Sequence, residues 1–162
     1  MSARFRLVAE GVEVTLPPHE VAFLSDLIKV LAGLGTPEDD PGAARLSPPA
    51  YLGEPEANED WKRFAGTELT AARRADRSAF ELILEAVDKA REEGEGSAVI
   101  SIPEAEAVLR VANDARLVLA ARWGVDTAGD YERLRPEAGD ILAFLGWLVS
   151  DLAIVLGGAL DR

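Results

Sequence analysis

Cysteine is absent from the 162 residues and histidine occurs once. The first absence removes disulfides, thiolate nucleophiles and cysteine-based zinc sites. It fits a chain that does not rely on an oxidising compartment, so a cytoplasmic location is expected. The second leaves His19, directly after Pro17 and Pro18, with no second imidazole for a triad or a mixed metal site. Also missing are a glycine-rich phosphate loop, a nucleophile elbow and a paired-carboxylate helix motif. The acid clusters Glu38-Asp39-Asp40 and Glu54, Glu56, Glu59, Asp60 lack the glycine and ligand spacing of a calcium loop and read as solvated. No catalytic residue, cofactor or metal is therefore expected. Positive charge is scarce as well: 17 basic residues against 29 acidic ones give a net charge of -12. Such a field repels nucleic acid and anionic membrane surfaces wherever no local basic patch opposes it.

What is present is enough apolar residue, 48% of the chain, for one complete core, so residues 1–162 read as a single domain. The start, MSARFRLVAEGVEV, has no continuous apolar run before Glu10, and no signal peptide is expected. Its alternation instead predicts a β-hairpin within residues 1–17. A two-residue Glu10-Gly11 turn would set Leu7 opposite Val14 and Phe5 opposite Leu16. The run Ala98 to Ile102 is the other β-like segment, giving a small sheet of two or three strands. Val21, Phe23, Leu24, Leu27, Ile28, Leu31 and Leu34 form the broad stripe of a core helix opened by the two prolines.

Residues 36–58 hold five of the nine prolines, several acids and no sustained period. They read as a long loop, the most mobile part of the chain, tied back at Arg45, Leu46, Tyr51 and Leu52. From Glu59 to Glu93 the pattern is helical, with Trp61, Ala65, Leu69, Ala72, Phe80, Ile83, Leu84 and Val87 on one side and possible bends at Gly66 and the ARRADR run. Ser101 and Glu104 make a capping box for a further helix that ends near Gly124. Residues 136–160 form a last helix that is apolar nearly all the way round. Leu142, Leu145, Leu148, Val149, Leu152, Val155 and Leu156 mark its main face; Gly146, Ser150, Ala153 and Gly157 make a stripe of small residues. Asp151 at mid-span and the lack of a flanking basic cluster argue against a membrane helix. The stripe leaves open a close helix of the same chain or a homodimer through the C-terminal helix. The fold class expected is mostly α, a bundle of four to five helices with an N-terminal β-hairpin.

Two polar features stand out. Trp61 to Arg77 leans positive, because Lys62, Arg63, Arg73, Arg74 and Arg77 outnumber Glu68 and Asp76; Arg73, Arg74 and Arg77 form a candidate basic patch, against the plainer reading of a solvated face. The stretch VLRVANDARLVLAARWGV places Asn113, Asp114, Arg116 and Arg122 within an apolar helix. Arg116 falls at the edge of the core arc, where an unpaired charge is costly. It is expected to pair with an acid such as Asp140 or Asp151, the alternative being a small-anion or peptide-carboxylate site.

The strings NDARLVLAARWGV and LAFLGWLVSDL, with DPGAARLSPPAY and the starting hairpin, resemble an actinobacterial family of unknown function whose members are small and acidic. The resemblance spans nearly the whole chain. It implies a gene commonly beside that of the Clp protease adaptor, hence the Clp proteolysis machinery as a candidate partner, and some members carry the label of transcriptional regulators. Val108 and Ala112 stand where a Trp and a Leu are usual, and Ala121 replaces a polar residue before Arg122. No catalytic residue carries over. The reading preferred is a non-enzymatic regulatory or protein-interaction module. The alternatives are a DNA-binding transcriptional regulator using the three arginines and a small-anion or small-molecule binder.

Overall fold

A computed structural model describes residues 4–48, 51 and 53–162. Along these residues the chain forms β1 (Phe5–Val8), β2 (Gly11–Val14), α1 (Pro18–Ala32), α2 (Pro41–Leu46), α3 (Pro55–Glu92), β3 (Ala98–Ile100), α4 (Ile102–Arg122), α5 (Ala128–Glu132) and α6 (Pro136–Leu160). The architecture is mostly helical, with an antiparallel three-stranded sheet in the order β1-β2-β3.

The hairpin forms two residues out of the expected register. Phe5 faces Val14 and Leu7 faces Val12, so the turn residues are Ala9 and Glu10, and Leu16 lies beyond the strand. The cause is Gly11, which is needed in the strand and not in the turn. It has φ +151°, and a Cβ there would sit 2.1 Å from the Ile100 carbonyl oxygen. A shift of two residues preserves which side chains face inward, and Phe5, Val12, Val14 and Leu16 are all buried. On the outer face Arg6 pairs with Glu13, which also accepts from the Ser97 hydroxyl.

Pro18 occupies the first turn of α1, where a missing N–H loses no helical bond, and of the expected stripe Val21, Leu24, Leu27, Ile28 and Leu31 are buried and Phe23 half-buried. Glu20 is buried too, a point the apolar pattern did not indicate. Arg4 donates to both its carboxylate oxygens at 3.0 Å and lies over the Trp147 ring. This ion pair ties the residues before β1 to α1 and α6.

Residues 36–58 are not an uninterrupted loop. Asp40 caps α2 by accepting from the Gly42 N–H, and α2 lies against α4 so closely that a Cβ at Gly42 would be 2.6 Å from Val118 Cγ1. Leu46 is buried and Arg45 reaches Asp126 at 3.4 Å. Tyr51 is largely exposed, held by backbone bonds with the Asn58 amide, and Leu52 lies outside the described residues.

Helix α3 is continuous over 38 residues, with no division at Gly66 or the arginine run. Only its second half reaches the core: Phe80, Ile83, Leu84, Val87 and Ala90 are buried, whereas Trp61, Phe64 and Leu69 are exposed. At 1.5 Å per residue the helix is about 57 Å long, and its first half projects beyond the bundle.

Helix α4 is the centre. The expected capping box is formed, with Ser101 Oγ accepting from the Glu104 N–H and Glu104 accepting from the Ser101 N–H. Its alanines and valines, from Ala105 to Val118, are buried against α6, α3 and α2. The short α5 lacks an apolar period to announce it, but Thr127 and Asp130 supply a second capping box.

Helix α6 starts at the expected Pro136 and packs on α4 and β1 through Leu142, Leu145, Leu148 and Leu152. It is long and apolar enough to cross a membrane, with mean hydropathy 2.0 over its most apolar window, yet that leucine face belongs to the core. Among the described residues, no helix covers its small-residue stripe. Ser150, Ala153 and Gly157 are exposed, and a Cβ added at Gly146 or Gly157 would meet no described atom within 4 Å. Ile154 beside them is 74% exposed.

Candidate functional site

The polar residues of α4 do not form one cluster. Asn113 and Arg116 bond to each other, the Arg116 Nη2 donating to Asn113 Oδ1 at 2.9 Å. The pair expected with Asp140 or Asp151 is not formed. Three residues along a helix bring Asn113 within reach of Arg116, whereas the Nε of Arg116 and Oδ2 of Asp151 are each buried without a hydrogen-bond partner.

Asp114, Val118 and Arg122 follow one another at four-residue spacing on a different face, the one that meets α3 and α2. Arg122 holds Asp40 in a two-pronged contact, Nη2 at 2.7 Å and Nε at 3.1 Å. Asp40 also accepts from the backbone N–H groups of Gly35 and Gly42. Its carboxyl is held well below the ordinary carboxylate range, chiefly by Arg122 and then by Gly35. Asp40 is therefore a fixed structural anion, not the solvated acid that its neighbours Glu38 and Asp39 suggested. Arg122, its partner, is committed to positioning α2.

Asp114, by contrast, joins the basic patch. Its Oδ2 lies 3.4 Å from Arg73 Nε. Burial pushes the Asp114 carboxyl up, while Arg73 opposes that shift. Arg73, Arg74 and Arg77 from α3 and Asp114 from α4 all line one cavity of about 280 Å³, whose other wall is apolar and includes Leu31, Leu34, Ala43 and Leu46. The spacing of Arg73 and Arg77 puts both on one helical face, with Arg74 beside them. Arg74 and Arg77 make no hydrogen bond or close ion pair with a described residue. Neighbouring acids are otherwise engaged: Arg110 binds Asp76 through two hydrogen bonds of 2.8 and 2.9 Å.

Towards the free end of α3 this cavity opens into a second space of about 420 Å³, lined by Trp61, Gly66, Leu69 and Pro48 among others. Leu46, Ser47, Thr70 and Arg73 border both. The two spaces adjoin along α2 and the first half of α3, three arginines lining the bundle end and Trp61, Leu69 and Pro48, with Lys62 and Asn58, lining the free end. Thr70 contributes no free hydroxyl proton, because it donates to the Gly66 carbonyl at 2.8 Å.

The apolar half of the groove was missed in the sequence. Trp61 and Leu69 have the right period for a core face, and nothing local indicates that both are exposed. His19 is exposed at the start of α1, beside a shallow space lined by Phe23, Ile141 and Phe144 with Glu20, which is paired to Arg4, and Asp140.

No curated protein and no solved structure gives a significant match to the sequence. The family described as Domain of unknown function (DUF2017) does match, over residues 1–156, and the chain belongs to that family.

Proposed function

We propose that this chain is a non-enzymatic protein-interaction module whose groove between α2 and α3 holds an acidic segment of a partner protein. The observation that carries the reading is the juxtaposition of three arginines and a single carboxylate in one cavity, continuous with an apolar trough. Counting Arg73, Arg74 and Arg77 against Asp114 leaves a local charge of +2 on a chain whose total is -12. Long-range attraction therefore does little to gather ligands, and selection rests on what fits at close range. A segment with an apolar side chain a few residues from an acid would place the first against Trp61 and Leu69 and the second among the guanidinium groups.

Selection from a displayed library of random dodecapeptides tests the reading. Enrichment of sequences pairing apolar residues with Asp or Glu is expected, and its loss in the Arg74→Glu/Arg77→Glu variant, provided that circular dichroism shows the variant folded. Enrichment of basic peptides, or binding indifferent to the double substitution, would refute it.

A duplex-binding role would draw on the same arginines. They lie in a concave site beside Asp114, however, and the excess of acid elsewhere repels a phosphate backbone. The enzyme reading has little to rest on, because among the described groove residues neither the Ser47 nor the Thr70 hydroxyl is bonded to a base that would activate it.

A further inference from the structure

We infer that the cationic end of the groove is a subsite for a phosphate monoester group, the acidic element of the ligand that it accepts. This deepens the proposed peptide-binding role and rests on it. Three features of the cavity point to this chemistry. Its charge is +2 once Asp114 is counted, which a single carboxylate leaves half uncompensated and a phosphate monoester, close to a dianion at neutral pH, balances.

The number of donors is the second feature. Three guanidinium groups line one cavity, and Arg73 alone makes a close ion pair there, 3.4 Å from Asp114, while Arg77 acts on the same carboxyl from farther away. A carboxylate offers two coplanar oxygens, whereas a monoester offers three that diverge and can each meet a planar guanidinium fork. Arg74 and Arg77 stay without close partners although the chain has 12 more acids than bases. Arg74 is exposed and Arg77 half-buried, and Arg77 acts on the Asp114 carboxyl without a close contact, so both keep guanidinium donors at the cavity wall available to a ligand.

The third feature is the opposite wall. Leu31, Leu34, Ala43 and Leu46 exclude water from one side and strengthen the attraction between the guanidinium groups and an entering anion. A volume of about 280 Å³ holds a phosphate group together with its ester linkage and part of the chain that bears it.

The experiment is calorimetric titration of the full chain at pH 7.5 with six probes. They are inorganic phosphate, phosphoserine, succinate, and the peptide acetyl-Leu-Gly-Xaa-Gly-Leu-amide with serine, glutamate or phosphoserine at Xaa. NMR of the arginine Nε–Hε groups locates the binding. The phosphoserine peptide is expected to bind at least about tenfold more tightly than the serine and glutamate forms. The Arg74→Gln and Arg77→Gln variants should each lose most of that margin while remaining folded. Phosphoserine alone should shift the resonances of Arg73, Arg74 and Arg77.

Equal binding of the glutamate and phosphoserine peptides would overturn the phosphate inference and leave the peptide groove standing. Binding of phosphate and phosphoserine with no gain from placing phosphoserine in the leucine peptide would sustain the subsite and overturn the peptide-binding role. Absence of binding by every probe, or binding that shifts none of the three arginines, would overturn both.

Discussion

Gly42 shows how much one side chain, or its absence, decides here. A Cβ at this position would stand 2.6 Å from a methyl group of Val118, which is fully buried and branched at its own Cβ. A stiff, enclosed neighbour cannot turn away, so α2 itself would have to move. Gly42→Ala is expected to destabilise the fold by about 1 to 3 kcal/mol, in the range for overpacking a dense contact. Urea denaturation monitored by tryptophan fluorescence measures it, and an unchanged midpoint would show that α2 is not seated as described. The same neighbourhood shows why residue identity alone misled. Asp40 stands in a run of three acids and reads as solvated, but its partner Arg122 is 82 positions away. Nothing within a few residues of Asp40 signals that contact. Arg116 failed in the opposite sense: its place on the helical wheel correctly denied it full exposure, yet Asn113, one turn away, took the role expected of a distant acid.

Among the elements, α1, α4 and α6 were legible because their signals are local. Pro18, the Ser101 to Glu104 capping box and Pro136 mark where these helices start, whatever surrounds them. Helix α3 was legible as a helix but not in its environment. Its apolar residues at 61, 65, 69 and 72 keep step with those from Phe80 onward, and periodicity alone does not show whether a neighbour is present. The consequence is measurable by hydrogen exchange. Amides in the second half of α3 are expected to be protected by several orders of magnitude more than those in residues 59–70, because only the former lie over buried side chains. Uniform protection along the helix would mean that the first half is covered in solution. On α6 the stripe of small residues suggested a close neighbour, and the space beside it holds no described atom. Gly146→Ala should therefore stabilise the protein by about 0.5 to 1 kcal/mol, because it replaces a mid-helix glycine where a methyl group meets nothing. Loss of stability in thermal melts would indicate an unseen contact at that face.

For the whole molecule, acid is the condition under which carboxylate contacts in the hairpin, at α2 and at α5 are tested together. Glu13, Asp40 and Asp130 all have carboxyl groups held below their ordinary values. Arg6 and then Ser97 cause this at Glu13, Arg122 and Gly35 at Asp40, and the Asp126 N–H and Arg133 at Asp130, which is lowered to about 2. A folded-state value below the unfolded one contributes stability that is present above the unfolded value and disappears as pH falls through the folded one. The denaturation midpoint is thus expected to decline from about pH 4 to about pH 2, starting near the unfolded carboxylate values, the three lowered groups outweighing the raised Asp114, which acts with the opposite sign. A midpoint that rises over that interval would contradict these contacts. The general architecture was visible before the structure because a chain of this length and apolar content has room for one core. The groove was not, since it is made where residues near 46, 70 and 114 meet.

Helix α3 can also be viewed as a cantilever, clamped in the core from Phe80 onward and tied before it by the contacts of Asp76 with Arg110 and of Arg73 with Asp114. A rotation of about 5° at the clamp would carry residue 55 roughly 3 Å sideways, at 1.5 Å per residue, but Arg77 only about 0.4 Å. The arginines sit close to the fulcrum, whereas Trp61 lies far along the beam. A ligand held in this groove meets a nearly rigid gauge for its charge and a jaw of adjustable width for its apolar part, so tolerance towards side-chain size should grow with distance from the anion.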